Sequence, residues 1–197
     1  MNRFQATCYT LACALAGTVV LPTTLAHAAD DTPVVAPTRY ANDLFGGSMA
    51  VDGDTLLVGA AGSSEYAFHT GEVHVFHSSA GAWNKVDSIG PEDPASTVLF
   101  GQSLALSGEH AMVTSWDNSK NQAVLDFFHR TNLRWEAVAQ LRSSRFADFT
   151  VDNDLAVVAT YERTILLEWV ATHWREKTVL PATFESVALS GEALLLA

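Results

Sequence analysis

Past Cys13 this chain has no cysteine, past Leu25 it has no long apolar run, and throughout it is short of positive charge, with 11 basic against 22 acidic residues. Each shortage excludes something. Cys8 and Cys13 both fall in the extreme N-terminal stretch, so a domain built from the rest has no disulfide to lean on and must be held by burial and strand pairing. The acid excess is spread along the chain rather than gathered in a tail, which argues against a nucleic-acid partner. The absence of a second apolar run leaves no segment for a stable membrane span once the N-terminal stretch is removed.

That stretch carries one basic residue, Arg3, an apolar run from Leu11 to Leu25, and a small-x-small close at Ala26-His27-Ala28. The pattern predicts a signal peptide over 1–28 and a protein that is secreted, periplasmic or on the cell surface. Thr10-Leu11-Ala12-Cys13 has the outline of a lipoprotein cleavage site, but threonine stands where that site prefers leucine and little apolar sequence precedes the cysteine. Residues 29–44 form a lead-in, and the remainder, 45–197, is long enough for one well-buried domain.

What fills 45–197 is repetition. Four times a strand of small residues closes on a tight turn and an acid, then restarts as an apolar strand. The copies are Ser48-Met49-Ala50-Val51-Asp52-Gly53-Asp54, Ser103-Leu104-Ala105-Leu106-Ser107-Gly108-Glu109, Phe149-Thr150-Val151-Asp152-Asn153-Asp154 and Ser186-Val187-Ala188-Leu189-Ser190-Gly191-Glu192. Their acids lie 55, 45 and 38 residues apart, a period that suits one four-stranded propeller blade per copy. Asp52-Gly53 and its counterparts predict type I′ hairpins, because glycine or asparagine tolerates the positive φ these turns need. The strands that follow, such as Leu56-Leu57-Val58 and Leu155-Ala156-Val157-Val158, are apolar on both faces and so must be covered on both sides.

The second half of each copy supplies another strand pair whose outer member opens on a tryptophan: Trp83, Trp135 and Trp174. These are read as packing residues between neighbouring blades, each contributing on the order of 2 to 3 kcal/mol when buried. The expectation is therefore an all-β chain of antiparallel four-stranded blades, at about 45–90, 100–142 and 146–180, with the first hairpin of a fourth over 184–197. Three copies and a fraction cannot close a ring, so the expectation is a piece of a longer propeller or several chains completing one assembly.

The stretch Leu44-Phe45-Gly46-Gly47-Ser48-Met49-Ala50-Val51-Asp52-Gly53-Asp54-Thr55-Leu56-Leu57-Val58-Gly59-Ala60 resembles the FG-GAP repeat, the blade unit of integrin α-subunit propellers and of many bacterial exported proteins. Leu99-Phe100-Gly101 with Gly108-Glu109 repeats the pattern, and Gly71-Glu72-Val73-His74-Val75-Phe76 followed by Gly81-Ala82-Trp83 is similar to the bacterial form. Phe146 and Phe184 sit one residue nearer their turns, without the glycine, so the third and fourth copies are degenerate. The resemblance implies repeat positions at Phe45, Gly46, Gly53, Asp54, Phe100, Gly101, Gly108, Glu109, Asn153, Asp154, Gly191 and Glu192. Calcium-binding members carry a longer acidic loop between the first two strands; Asp52-Gly53-Asp54 is too short to wrap an ion, so no metal or other cofactor is expected.

No Gly-x-Ser-x-Gly elbow, His-Glu-x-x-His or phosphate-cradling glycine loop is present. His74 and His77, three apart on a strand, should face opposite ways. With no catalytic residue singled out, the first expectation is a non-enzymatic module that contacts an extracellular protein or glycan through loops around Ser63 to His69 and Asp117 to Lys120. The alternative is a carbohydrate-active hydrolase or lyase, for which loop acids such as Glu65 and Glu92 would have to converge.

Overall fold

The computed structural model describes residues 34–35, 42–132, 134–191 and 193–197, all within one compact unit spanning Thr32–Ala197. The expected signal peptide, most of the lead-in and Glu192 lie outside the described residues. The chain is all-β, with no helix among the described residues.

The first blade is a four-stranded antiparallel sheet in chain order, β1 (Phe45–Asp52), β2 (Thr55–Ala60), β3 (Glu72–Ser79) and β4 (Ala82–Ile89). In the second, two short segments, β5 (Thr97–Val98) and β6 (Leu104–Ser107), both pair with β7 (His110–Asp117), followed by β8 (Gln122–Thr131) and β9 (Arg134–Ser143). The third repeats the plan with β10 (Phe146–Asp152), β11 (Leu155–Thr160), β12 (Thr164–Val170) and β13 (His173–Leu180). A hairpin of β14 (Val187–Ser190) and β15 (Ala193–Leu196) follows. The first strands β1, β6, β10 and β14 lie against one another in succession, as the inner row of propeller blades does.

The turn chemistry sits one residue later than the sequence suggested. Asp52 pairs with Thr55, Ser107 with His110 and Asp152 with Leu155, so the two turn residues are Gly53-Asp54, Gly108-Glu109 and Asn153-Asp154. Positive φ falls on the first of each pair, at 57° for Gly53, 57° for Gly108 and 50° for Asn153, while the acid that follows keeps an ordinary negative φ. A type I′ turn would need both residues left-handed. Because only the first is, an acid fits the second position without strain.

Each blade also carries a bulge in its outer strand. Val75 pairs with Asp87 and Phe76 with Lys85, leaving Val86 extra; Val138 and Lys177 are the extra residues of the second and third blades. A bulge sharpens the local twist, and its repetition at one register gives the blades a common curvature. At the start of the inner strand the first blade spends two residues, Gly46 and Gly47, between its paired Phe45 and Ser48. The third spends only Ala147, between Phe146 and Asp148, which accounts for the missing glycine.

The apolar strands fill the seams between blades. Leu57, Val73 and Val75 of the first blade pack with Phe100, Ala111, Val113, Phe128 and Trp135 of the second. Met112, Leu125 and Phe127 of the second pack with Val151, Ala156, Val158, Ile165 and Leu167 of the third, and Val157 and Ala159 pack with Val187. Full burial of a side chain such as Phe100 stabilises the seam by roughly 1.5–3 kcal/mol. The backbones of the first two blades meet closely where Gly59 faces Gly101, since a Cβ on Gly59 would stand 2.2 Å from the Gly101 carbonyl oxygen.

Candidate functional site

The repeat positions fall into two groups, one at each end of the blades. Antiparallel order places the β1–β2 and β3–β4 turns and their counterparts at one end, and the β2–β3 loops with the blade-to-blade connections at the other. Gly53, Asp54, Gly108, Glu109, Asn153, Asp154 and Gly191 are at the turn end. Trp83, Trp135 and Trp174 are each the second residue of an outer strand, paired with Ser78, Arg130 and Trp169 respectively. Trp135 is buried in the first seam and Trp174 packs against the second, while Trp83 is half-buried and belongs to no buried cluster among the described residues.

Phe100 and Gly101 are at the loop end and join the first two blades. The Phe100 N–H donates to the Thr70 carbonyl at 2.8 Å, and the Gly101 carbonyl accepts the Ser48 hydroxyl at 2.6 Å. Phe45 stands over His74 at 5.3 Å between ring centres, and Gly46 has a φ of 83° in open space.

The loop end also holds a polar cavity of about 360 Å³. Its floor is Asp117 at the end of β7, Asp126 on β8, and Gln140 and Arg142 on β9, and its rim is the connection from Pro91 through Glu92 and Asp93 to Thr97. Asp117 is the better-held acid. Its Oδ1 accepts the Ser119 hydroxyl at 2.6 Å and the backbone N–H groups of Ser119 and Lys120, and its Oδ2 accepts Arg142 Nη1 at 2.5 Å. The Ser119 hydroxyl first, then the Arg142 guanidinium and the backbone donors, hold the carboxyl at about 2 against the pull of burial. Asp126 is displaced the other way. Burial pushes its carboxyl up and Glu92 adds to the rise, outweighing the Gln140 amide donated at 2.6 Å and the more distant Arg142.

The loop after β2 lies against this rim. The Tyr66 ring covers Gly90, Thr70 donates to the Pro94 carbonyl at 3.4 Å, and the Leu99 N–H donates to the His69 carbonyl at 3.1 Å. Tyr66 is 44% exposed and Phe68 81% exposed, large apolar surface held in the open. Burial, then Glu72, Glu65 and Asp87, raise the Tyr66 phenol, so at neutral pH it is a hydroxyl donor. Glu92 is thus brought to the cavity, whereas Glu65 is exposed and not among its lining residues.

Inside the first blade Ser88 Oγ is 3.4 Å from His74 Nδ1, and His74 Nε2 is 3.6 Å from Glu72 Oε1. Serine, histidine and carboxylate are in order, but both gaps exceed the roughly 2.6–3.2 Å reach of proton transfer. Glu72 is also bonded to Ser63 Oγ at 2.8 Å, and burial lowers the His74 imidazole despite Glu72. The set is a buried polar relay that ties the Ser63 loop to the sheet. Asp126 was findable in the sequence as the one charge in Val124-Leu125-Asp126-Phe127-Phe128. Its partners Gln140 and Arg142 carried no signal of their own. Among the described residues no three His, Cys, Asp or Glu side chains are gathered as a metal site, and no helix is long and apolar enough to cross a membrane.

Four-stranded antiparallel sheets repeated along an inner row define a propeller-type repeat module. Residues 33–76, covering the lead-in's end and β1 to most of β3, match the family model of the FG-GAP repeat, and the chain carries that repeat there. No curated protein matches the chain.

Proposed function

We propose that the chain is an exported, non-enzymatic repeat module that binds an extracellular protein or glycan through its loop end. The carrying observation is the acid-lined cavity below Pro91 to Thr97 with exposed Tyr66 packed on Gly90 at its edge and exposed Phe68 on the same loop as Tyr66. Flat aromatic faces beside carboxylate and amide acceptors suit a sugar, which offers C–H surface and hydroxyl donors together. Two of the cavity's acids are also occupied by protein donors, Asp117 by Ser119 and Arg142 and Asp126 by Gln140, which favours holding a ligand over transferring protons. The predicted signal peptide supports the extracellular setting.

The secreted protein is tested on a glycan array and against extracellular proteins, with Tyr66→Ala and Phe68→Ala alongside. Binding reduced about tenfold or more by either change, with the fold retained, supports the reading. Retention of full binding by both removes the loop end from the interaction.

A hydrolase or lyase is the second reading, favoured by one observation: Asp117 and Asp126 line one cavity with their carboxyls displaced in opposite directions, the division that acid and base roles require. Turnover of a bound sugar that is lost on replacing Asp126 or Glu92 would replace the binding reading with this one.

A further inference from the structure

The two blade seams can be compared position by position at the turn end. In the seam between the second and third blades, His110 and His129 of one blade meet Trp169 and Trp174 of the next. His129 stacks on Trp169 at 4.7 Å between centres, and His110 lies 4.8 and 4.9 Å from the two indoles. By register, His110 opposite His129 corresponds to Thr55 opposite His77, and Trp169 opposite Trp174 corresponds to Arg130 opposite Trp135. The first seam therefore places a threonine and a guanidinium where the second places two rings. The space those rings would fill is left as a cavity of about 160 Å³.

Its walls divide cleanly. Val75, which is buried, and Val86, the outward bulge residue at 57% exposure, form an apolar side. Arg130 and His77 form a polar side, and the Trp135 ring closes the space between. Arg130 Nη1 donates to Thr55 Oγ1 at 2.7 Å and the guanidinium stands 5.7 Å over the Trp135 ring, so the cation is fixed in place. Among the described residues no carboxylate comes within salt-bridge distance of it, in a chain with a formal charge of −11. Trp135 is 9% exposed and closes the cavity with its ring. A guanidinium fixed in place with no carboxylate partner calls for an anionic acceptor.

We propose that this cavity binds a small organic carboxylate bearing one compact apolar group. The carboxylate takes the Arg130 guanidinium, and the apolar group lies against Val75, Val86 and the Trp135 ring. The size fits, since a cavity of about 150 Å³ accepts a benzene ring. A neutral apolar molecule would leave the Arg130 guanidinium without an anion, and a bare anion would leave the apolar wall wet. The site is at the turn end, so it stands or falls independently of the loop-end reading.

The test is a titration of the full chain with sodium benzoate and with benzamide, following tryptophan indole N–H resonances by nuclear magnetic resonance, with Trp135→Phe to assign the signal. Benzoate is expected to shift the Trp135 resonance saturably, and benzamide to bind at least about tenfold more weakly. Arg130→Met should weaken benzoate about tenfold or more. The double change Thr55→His with Arg130→Trp, which copies the second seam into the first, should abolish it. No saturable shift with benzoate up to about 10 mM in the unaltered chain, or benzamide binding equally well, overturns the proposal without any variant having to fold. So does a folded Arg130→Met chain with unchanged affinity.

Discussion

Asp52 Oδ2 accepts the backbone N–H of Gly108 at 2.6 Å, joining the residue before one blade's turn to the first turn residue of the next blade. The contact recurs. Ser107 Oγ accepts the Asn153 N–H at 2.9 Å, and Asp152 Oδ2 accepts the Gly191 N–H at 2.5 Å. A row of side-chain acceptors therefore ties each inner hairpin to its successor, using an amide that the positive-φ turn points outward. Asp52→Ala and Asp152→Ala should each destabilise the chain by about 1 kcal/mol, seen as a lower urea midpoint at unchanged slope. Asp52→Asn, which keeps an acceptor, should lose less than half of that.

The two kinds of glycine in the first blade should respond differently to a methyl group. At Gly53 a Cβ meets nothing within 4 Å, and only the left-handed backbone resists it; at Gly59 a Cβ would stand 2.2 Å from both the Gly101 carbonyl oxygen and Ser48 Oγ. Gly53→Ala is expected to cost about 1 kcal/mol and Gly59→Ala about 2 kcal/mol or more, because the second must push two blades apart. Equilibrium denaturation of the two variants side by side gives the comparison, and equal losses would mean the seam is more yielding than its backbone contact implies.

These contacts also show which parts of the molecule could be read before it was folded. The hairpins and the tryptophan register were legible because each rests on local chemistry that recurs: an αL-tolerant residue, a doubly apolar strand, an aromatic opening the outer strand. The acids of the turns drew attention by repetition, yet the residues that bridge blades are Asp52, Ser107 and Asp152, two residues earlier, and they share only the ability to accept a hydrogen bond. The loop-end cavity was half visible. Glu92 and Asp117 stood in loops already singled out, but their meeting with Asp126 and Arg142 depends on how a connection folds over the ends of three strands, and no local pattern encodes that. The exchange of Trp169 for Arg130 at one seam position was invisible without register, since unlike residues do not announce equivalence.

Burial lowers the imidazoles of His110 and His74, for His110 with help from His129 and against the opposing pull of Asp154 and Glu109. A histidine whose folded value is lowered binds protons more readily when unfolded, so its contribution is fully present above the unfolded value near 6.5 and is lost as the pH falls through that range. The melting temperature should therefore fall between about pH 7.5 and pH 5. His110→Phe keeps a ring against His129, Trp169 and Trp174 while removing one titrating group, and should flatten that fall without erasing the His74 share. A fall of undiminished size in the variant would place the pH response elsewhere.

Asp126 offers the sharpest division between fold and function. Its carboxyl is buried and raised, so ionisation is penalised in the folded state, and the penalty is fully present once the pH exceeds the folded value. Asp126→Asn removes the charge but leaves an oxygen to accept Gln140 Nε2, which now donates at 2.6 Å. At neutral pH the variant should be as stable as the parent or more so, with a higher melting temperature and less loss of stability as the pH rises through the carboxylate range. Asp117→Asn should do the reverse, because Asp117 is held low by Ser119 and Arg142, and its stabilisation, present above the unfolded value, disappears as the pH falls. If the cavity only binds, a stabilised Asp126→Asn chain keeps its ligand within a few-fold; if Asp126 gives up a proton to a substrate, the same stable chain is inert. Calorimetric melting and ligand titration on one preparation separate the two outcomes.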